Sequence, residues 1–348
     1  MKKSLNKTII SKCPLRLGLA GGGTDVDPYR KTFGGHCITA SISLYAHCRI
    51  TKNTKNKISF NLLDKNFTKT FNIDDDLQKK DSIFLLKMTY LYVIEKFHNN
   101  KRIPLNLISY VDVPSGSGVG SSSSLVVAIL GGLFAFINKK ISKISIAKHA
   151  FYIERVLCNL SGGRQDQYAA VYGGFNSIYF NTDDSVNVKK IKLNKSFIND
   201  LNEKLLLFYI GASRESSRII DEQVKNIQSM DKVSLSATHN LKKLSFDLLE
   251  SLRSEDIQYF FKLMEKSWMN KIKIAKSITN SSINHVCNIS RKNKAEFVKV
   301  SGAGGGGFVL IGFEIENKYK LINALKNKNG KFFIFNFANE GLQVSVTS

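Results

Sequence analysis

Glycine is distributed unevenly along this chain, and that unevenness constrains the fold more than any other feature. Twenty of the 24 glycines fall in four short windows, residues 18–35, 116–132, 162–174 and 302–307. Glycine is used where the backbone takes φ > 0 or where a ligand or a second backbone must come close. One such window reads as a turn; four read as loops converging on something compact.

Between the windows the apolar pattern is mixed. Segments 38–50, 105–113, 175–180, 205–210, 297–300 and 307–313 predict strands. Segments 122–137 and 144–158 predict helices, with three or four more between Arg214 and Arg291. A chain of 348 residues favours two domains, and the polar stretch 181–195 marks the expected boundary, giving units 1–185 and 186–348. The longest apolar run, 125–137, stops at Asn138-Lys139-Lys140, short of the ~18–20 residues a membrane span needs. Polar residues from Asn6 to Lys12 interrupt any secretory apolar segment, so a cytoplasmic location and no membrane partner are expected. The five cysteines are an odd number with no C-x-x-C spacing, which reads as reduced, buried thiols.

The 51 basic and 28 acidic side chains give a formal charge of +23, enough to attract polyanions. Yet 41 of the basic residues are lysine and ten arginine, scattered through Asn- and Ile-rich surroundings. No aromatic RNA-binding box or zinc-finger spacing accompanies them. Nucleic acid is therefore not expected as a partner, and the charge is read as favouring small anionic substrates.

The second window carries the clearest chemistry. Pro114-Ser-Gly-Ser-Gly-Val-Gly-Ser-Ser-Ser-Ser124 lies between a predicted strand and a predicted apolar helix. A glycine-rich turn entering a helix presents unpaired N–H groups and the positive end of the helix dipole, which together bind phosphate oxygens. The spacing is neither a Walker A loop nor a dinucleotide G-x-G-x-x-G, and protein-kinase H-R-D and D-F-G elements are missing. H-E-x-x-H and G-x-S-x-G are missing as well, so a zinc or serine hydrolase finds no support.

With Cys13-Pro-Leu-Arg-Leu-Gly-Leu-Ala-Gly-Gly-Gly-Thr-Asp25 before it and Lys299-Val-Ser-Gly-Ala-Gly-Gly-Gly-Gly307 after it, this segment resembles the second of three ordered motifs in the GHMP small-molecule kinases. Within that superfamily, Ala-Gly-Gly-Gly-Thr-Asp and Gly162-Gly-Arg-Gln-Asp-Gln-Tyr-Ala-Ala170 are most similar to the D-glycero-D-manno-heptose 7-phosphate kinases. Galactokinases have a Glu-His pair where Ala20 to Gly23 stand here. Val119 for Leu, Ser115 for Pro or Thr and Ser124 for Ala are smaller departures from the superfamily pattern.

The resemblance implies an α+β, two-domain fold: an N-terminal ribosomal-protein-S5-domain-2-like ATP-binding domain and a C-terminal α/β sandwich. It implies ATP and Mg2+ as cofactors, a small sugar phosphate as partner, and a monomer or homodimer. The implied reaction is phosphorylation of the anomeric hydroxyl of the heptose 7-phosphate to the 1,7-bisphosphate, used for activated heptose and surface glycans. Another sugar kinase of fucose or hexose type is the nearest alternative. A catalytically silent sensor is a third, against which the retained Arg16, Ser122, Glu154 and Asp166 argue.

Residue roles follow from the same resemblance. Pro114, Gly116, Ser117, Gly118, Val119, Gly120, Ser121, Ser122 and Ser123 would bind ATP, and Ser122 with Glu154 would hold the metal. Asp166 would accept or orient the acceptor proton, and Arg16 would stabilise Asp166 and the transferring group. Gly22, Gly23, Thr24 and Asp25 would contact the sugar, with Arg214, Arg218 and Arg164 as candidates for its phosphate. Read without the resemblance, Glu154 is a surface helix residue paired with Lys148 or Arg155, Asp166 is a cap or turn residue, and the third motif is close backbone packing.

Overall fold

The structure is a computed structural model and describes residues 7–213 and 216–347. Among them, twelve strands form two sheets. The first sheet contains β1 (Thr8–Ala20), β2 (Gly35–Lys52), β3 (Lys57–Leu62), β4 (Phe67–Asn72), β5 (Leu105–Val111), β6 (Phe175–Phe180) and β7 (Val186–Ile191). The second contains β8 (Leu205–Tyr209), β9 (Ala295–Val300), β10 (Phe308–Phe313) and β11 (Lys331–Phe333) in the order β11-β8-β10-β9. The chain then returns to the first sheet as β12 (Gln343–Thr347), antiparallel to β1. Along one edge the 18-residue β2 pairs first with β6 and then with β5; β1 runs along its other edge.

The expected strands and helices all appear, most with ends moved by a few residues, and four helices fill the region between Ser216 and Lys292. The strands β1, β3, β4, β7, β11 and β12 and the helices Tyr29–Phe33, Phe84–Phe97, Gln165–Tyr172, Lys195–Glu203 and Lys318–Lys326 were not expected. The sheets also depart from the division at 185/186. Val186–Ile191 is hydrogen-bonded to β6, and Gln343–Thr347 to β1. β7 looked like linker because Val-Asn-Val-Lys-Lys-Ile leaves half its side chains in solvent, as the outermost strand beside β6 permits.

Period-two alternation sorts the second sheet's side chains. Phe308 and Leu310 enter the core shared with the first sheet, while Val309, Ile311 and Phe313 enter a separate core beneath the helices Ser281–Lys292 and Lys318–Lys326. The shared core joins Leu15, Leu17 and Leu19 of β1 to Phe197, Leu207, Leu248, Phe260 and Phe297. Each such buried side chain contributes about 1.5–3 kcal/mol. On the opposite face of the first sheet the helix Ser121–Phe136 is apolar all round and almost wholly buried.

A bulge in β2, where Ser43 and Leu44 are extra opposite β1, aims the functional side chains of β1. Ile9 and Cys13 face the helix Ser121–Phe136, but the register shifts between Pro14 and Leu15, after which Leu15, Leu17 and Leu19 face the other core. Arg16 and Gly18 thereby turn to the face where the helix Gln165–Tyr172 lies, and Gly18 packs against Gln165.

Candidate active site

A cavity of about 300 Å³ opens where the two sheets meet, and all four glycine windows line it: Gly18, Gly22 and Gly23; Gly116, Gly118 and Gly120; Gly162 and Gly163; and Gly302. The second and fourth windows touch through their backbones. Gly118 has φ +79°, and a Cβ there would collide with the Ser301 carbonyl. Phe308 N donates to Ser117 O at 2.9 Å, and Ser301 Oγ to Gly118 O at 3.1 Å. Backbone packing is thus much of what the third motif does, although Lys299, Val300 and Ala303 also line the cavity.

The helix Ser121–Phe136 starts at Gly120, φ +75°, with no side-chain cap. Its first intrahelical donor is Ser124 N, to Gly120 O. The N–H groups of Ser121, Ser122 and Ser123 are therefore left for a ligand at the positive end of a 16-residue helix. Ser121, Ser122 and Ser123 line the cavity. Pro114, Ser117 and Val119 do not. Ser117 and Val119 are buried, Val119 in the shared core, and Val119 O accepts from Arg16 N at 3.0 Å. Ser117 and Val119 shape the loop from behind, and Pro114 is exposed.

Glu154 is fully buried, so the surface reading does not hold. It sits in a π-helical turn, Ile153–Leu157, that continues the helix Lys143–Tyr152; such turns recur at functional sites. Its carboxylate accepts from Ser122 Oγ at 2.8 Å, Ser123 Oγ at 2.6 Å and Gln167 Nε2. A carboxylate beside a hydroxyl at the phosphate-binding helix terminus is the hard-oxygen donor set that suits Mg2+.

Asp166 lies in the first turn of the helix Gln165–Tyr172. Its Oδ1 accepts from Arg16 Nε at 2.7 Å and lies 2.7 Å from Nη2, while Arg16 Nη1 donates to Gly118 O at 2.8 Å. Arg16 thus joins the acidic residue to the glycine-rich loop. Asp25 is buried and accepts from Gly23 N, Arg164 N, Gln165 N and Gln165 Nε2. It caps that helix from the first motif while lining the cavity.

Several expected contacts are not made. Thr24 is buried, its hydroxyl donating to Gly21 O at 2.7 Å and accepting from His36 N at 3.0 Å; it fixes the turn and does not line the cavity. Arg164 points away, ion-paired to Asp184 at 2.9 Å and stacked over Phe151. Arg218 is exposed on the helix Ser216–Gln228 and does not line the cavity. Arg214 lies outside the described residues.

Two cations were missed. Lys271 and Lys299 line the cavity and are only 7% and 8% exposed. Lys271 Nζ donates to Gly22 O at 3.2 Å and Gln223 Oε1 at 3.3 Å; Lys299 Nζ donates to Gly18 O at 2.9 Å and to Leu19 O. Burial lowers Lys271 to about 8, partly opposed by Asp25; burial, with repulsion from Lys271 and Arg16, lowers Lys299 to about 7. Both ammonium groups rest on neutral oxygens, an arrangement that an anionic ligand completes.

A glycine-rich helix entrance, a carboxylate–hydroxyl pair, an Arg–Asp pair and buried lysines around one cleft define a phosphotransferase site. The chain matches the GHMP kinases N terminal domain over residues 85–174 and the GHMP kinases C terminal domain over residues 248–331. It is 34% identical over 337 residues to the D-glycero-alpha-D-manno-heptose 7-phosphate kinase of Campylobacter jejuni, covering 97% of this chain and 98% of that one. A crystal structure of a D-glycero-D-manno-heptose 1-phosphate kinase from Bacteriodes thetaiotaomicron superposes with a TM-score of 0.81 at 30% identity, covering 98% and 99% of the two chains. The bifunctional fucokinase/GDP-fucose pyrophosphorylase of Arabidopsis thaliana is 24% identical over 332 residues, 92% of this chain and 31% of that protein. The chain belongs to the GHMP kinase family and is an ATP-dependent sugar kinase with that family's two-domain α+β fold. Among the described residues no helix is long and apolar enough to cross a membrane.

Proposed function

We propose that this enzyme transfers the γ-phosphoryl group of ATP to the anomeric hydroxyl of D-glycero-α-D-manno-heptose 7-phosphate, giving the 1,7-bisphosphate for GDP-heptose and surface-glycan synthesis in the cytoplasm. The observation that carries the choice of a phosphorylated acceptor is the row of cations, Arg16, Lys299 and Lys271, along one cleft. Two of these are buried without a carboxylate partner, which a neutral hexose would leave uncompensated. The 34% identity to a heptose 7-phosphate kinase supports the same substrate.

Phosphoryl transfer asks the protein mostly to position reactants and stabilise charge. The triphosphate would rest on the N–H groups of Ser121–Ser123, with its terminal group toward Arg16. Asp166 Oδ1 is spent on Arg16, so Oδ2 is assigned to the acceptor hydroxyl, orienting it and receiving its proton. Ser122 and Glu154 would hold Mg2+, which when bound neutralises phosphate charge. Asp25 would keep Gly22, Gly23 and Gln165 in place around the sugar.

The test is turnover with ATP across a panel containing heptose 7-phosphate, the unphosphorylated heptose, fucose, galactose and mannose. Preference for heptose 7-phosphate by at least about tenfold in kcat/KM is expected. Turnover confined to neutral sugars would reject the proposal and favour the fucose- or hexose-type reading, and no turnover with any sugar would favour a sensor.

A further inference from the structure

The cavity has two ends, which β1 connects. Arg16 stands at the Gly118–Gly120 end, Lys299 is bound to Gly18 O and Leu19 O further along, and Lys271 is bound to Gly22 O past the strand's end. At ~3.3 Å per residue, Arg16 to Ala20 alone spans about 13 Å. A seven-carbon sugar phosphate likewise carries its anomeric hydroxyl and its phosphate at opposite ends.

We propose that Lys271, steered by Gln223, grips the acceptor's own phosphate and so selects a phosphorylated sugar over a neutral one. This rests on the heptose 7-phosphate reading above and adds a specificity-determining residue to it.

The hydrogen-bond inventory supports it. An ammonium has three donors. Two are engaged, at 3.2 Å with Gly22 O and 3.3 Å with Gln223 Oε1, which leaves one. Gln223 lines the same cavity, is 4% exposed, and its Nε2 has no partner. Turning the Gln223 amide over would set Nε2 against the ammonium, so the observed orientation is the one the chemistry requires. A buried donor without a partner is costly, and a phosphate oxygen beside Lys271 would relieve both groups. The largest anionic influence on Lys271 is Asp25, whose carboxylate is occupied by Arg164 N, Gln165 N and Gln165 Nε2. The Lys271 ammonium packs close to the Gly23 backbone, where an added Cβ would lie 3.3 Å from Nζ.

The experiment compares the wild type with Lys271→Met, Lys271→Arg and Gln223→Leu at saturating ATP. Acceptors are heptose 7-phosphate and the same heptose without its phosphate; inorganic phosphate serves as competitor. Lys271→Met should raise KM for heptose 7-phosphate about 10–100-fold, the weight of one charge-assisted hydrogen bond. Its kcat and its KM for ATP should stay within about threefold, as should kcat/KM for the unphosphorylated heptose. Inorganic phosphate should compete with heptose 7-phosphate in the wild type and lose potency by a similar factor in the variant. Lys271→Arg should recover most of the loss, and Gln223→Leu should show the same pattern at smaller size. Met keeps the volume of the buried side chain, and a melting temperature no lower than the wild type's would show the fold intact. An unchanged KM for heptose 7-phosphate in Lys271→Met, or an equal rise for both sugars, would overturn the inference and leave the substrate reading standing. A wild type active only on neutral sugars would instead sink the substrate reading, and this inference with it.

Discussion

Arg16 and Asp166, 150 residues apart in sequence, meet at Asp166 Oδ1, where Arg16 Nε donates at 2.7 Å and Nη2 lies at 2.7 Å. The same guanidinium holds Gly118 O at 2.8 Å, so one side chain ties the acidic group to the glycine-rich loop.

Asp166→Asn should lower kcat by about two to four orders of magnitude, the range for a positioned acid–base group, with KM for ATP little changed. Arg16→Met should also lower kcat. Because the two act as one unit, the double variant should fall far short of the product of the single losses. Steady-state kinetics of the three variants checks this; near-normal turnover in Asp166→Asn would remove Asp166 from the chemistry.

Glu154→Gln should raise the Mg2+ concentration needed for half-maximal activity about tenfold or more, since it removes the charged member of the proposed ligand pair. Magnesium titration of the activity is the measurement. Glu154→Ala should in addition unfold more easily, because Ser123 and Gln167 lose a buried acceptor.

The glycine windows and the mixed α/β pattern made the cavity's outline readable from sequence, because the need for backbone without Cβ is a local property. Glu154 was readable only through family resemblance: its neighbours suggest an exposed helix face, and burial depends on the π-helical turn and on Gln167. Lys299 stood at the head of the third motif without a role, and Lys271 left no signal at all. Lys271 ends an amphipathic helix, Ile257–Lys271, where a basic residue is ordinary, and its burial depends on the Gly22–Gly23 turn and on Gln223, both distant in sequence. Arg164 and Arg218 fall outside the cavity lining for the converse reason. Sequence marks them as near the motifs but not which way their side chains point, and Arg164 is spent on Asp184 and Phe151.

Gly118→Ala should destabilise the enzyme and weaken ATP binding, because the new Cβ collides with Ser301 backbone and φ is +79°. Gly211→Ala, at φ +104° with open space around the added Cβ, should cost only backbone strain of about 1–3 kcal/mol and leave KM for ATP unchanged. Equal losses of ATP affinity in both would contradict the close approach of the two motifs.

Thr24→Val should cost about 1–3 kcal/mol of stability, from His36 N left without its acceptor while Gly21 O keeps the Thr24 N–H, without altering KM for the sugar. Chemical denaturation beside kinetics separates the two effects, and a large rise in sugar KM would restore Thr24 as a ligand contact.

The buried lysines should make the unliganded enzyme's stability depend on pH. Their folded values, about 8 for Lys271 and about 7 for Lys299, lie below the ordinary 10.5. Folding thus penalises the ammonium form, fully below the folded values and progressively less as pH rises toward 10.5. Lys271→Met should therefore be more stable than the wild type at pH 7, by a margin that shrinks toward pH 10. A margin independent of pH would contradict the burial of a charged Lys271.

The most direct test of the whole account is a crystal structure with a non-hydrolysable ATP analogue and heptose 7-phosphate bound together. It should show triphosphate oxygens on the N–H groups of Ser121–Ser123, the terminal phosphoryl group beside Arg16, and the anomeric hydroxyl within hydrogen-bonding distance of Asp166 Oδ2. A nucleotide seated away from the Gly116–Gly120 loop, or an acceptor whose anomeric hydroxyl faces away from Asp166, would contradict it.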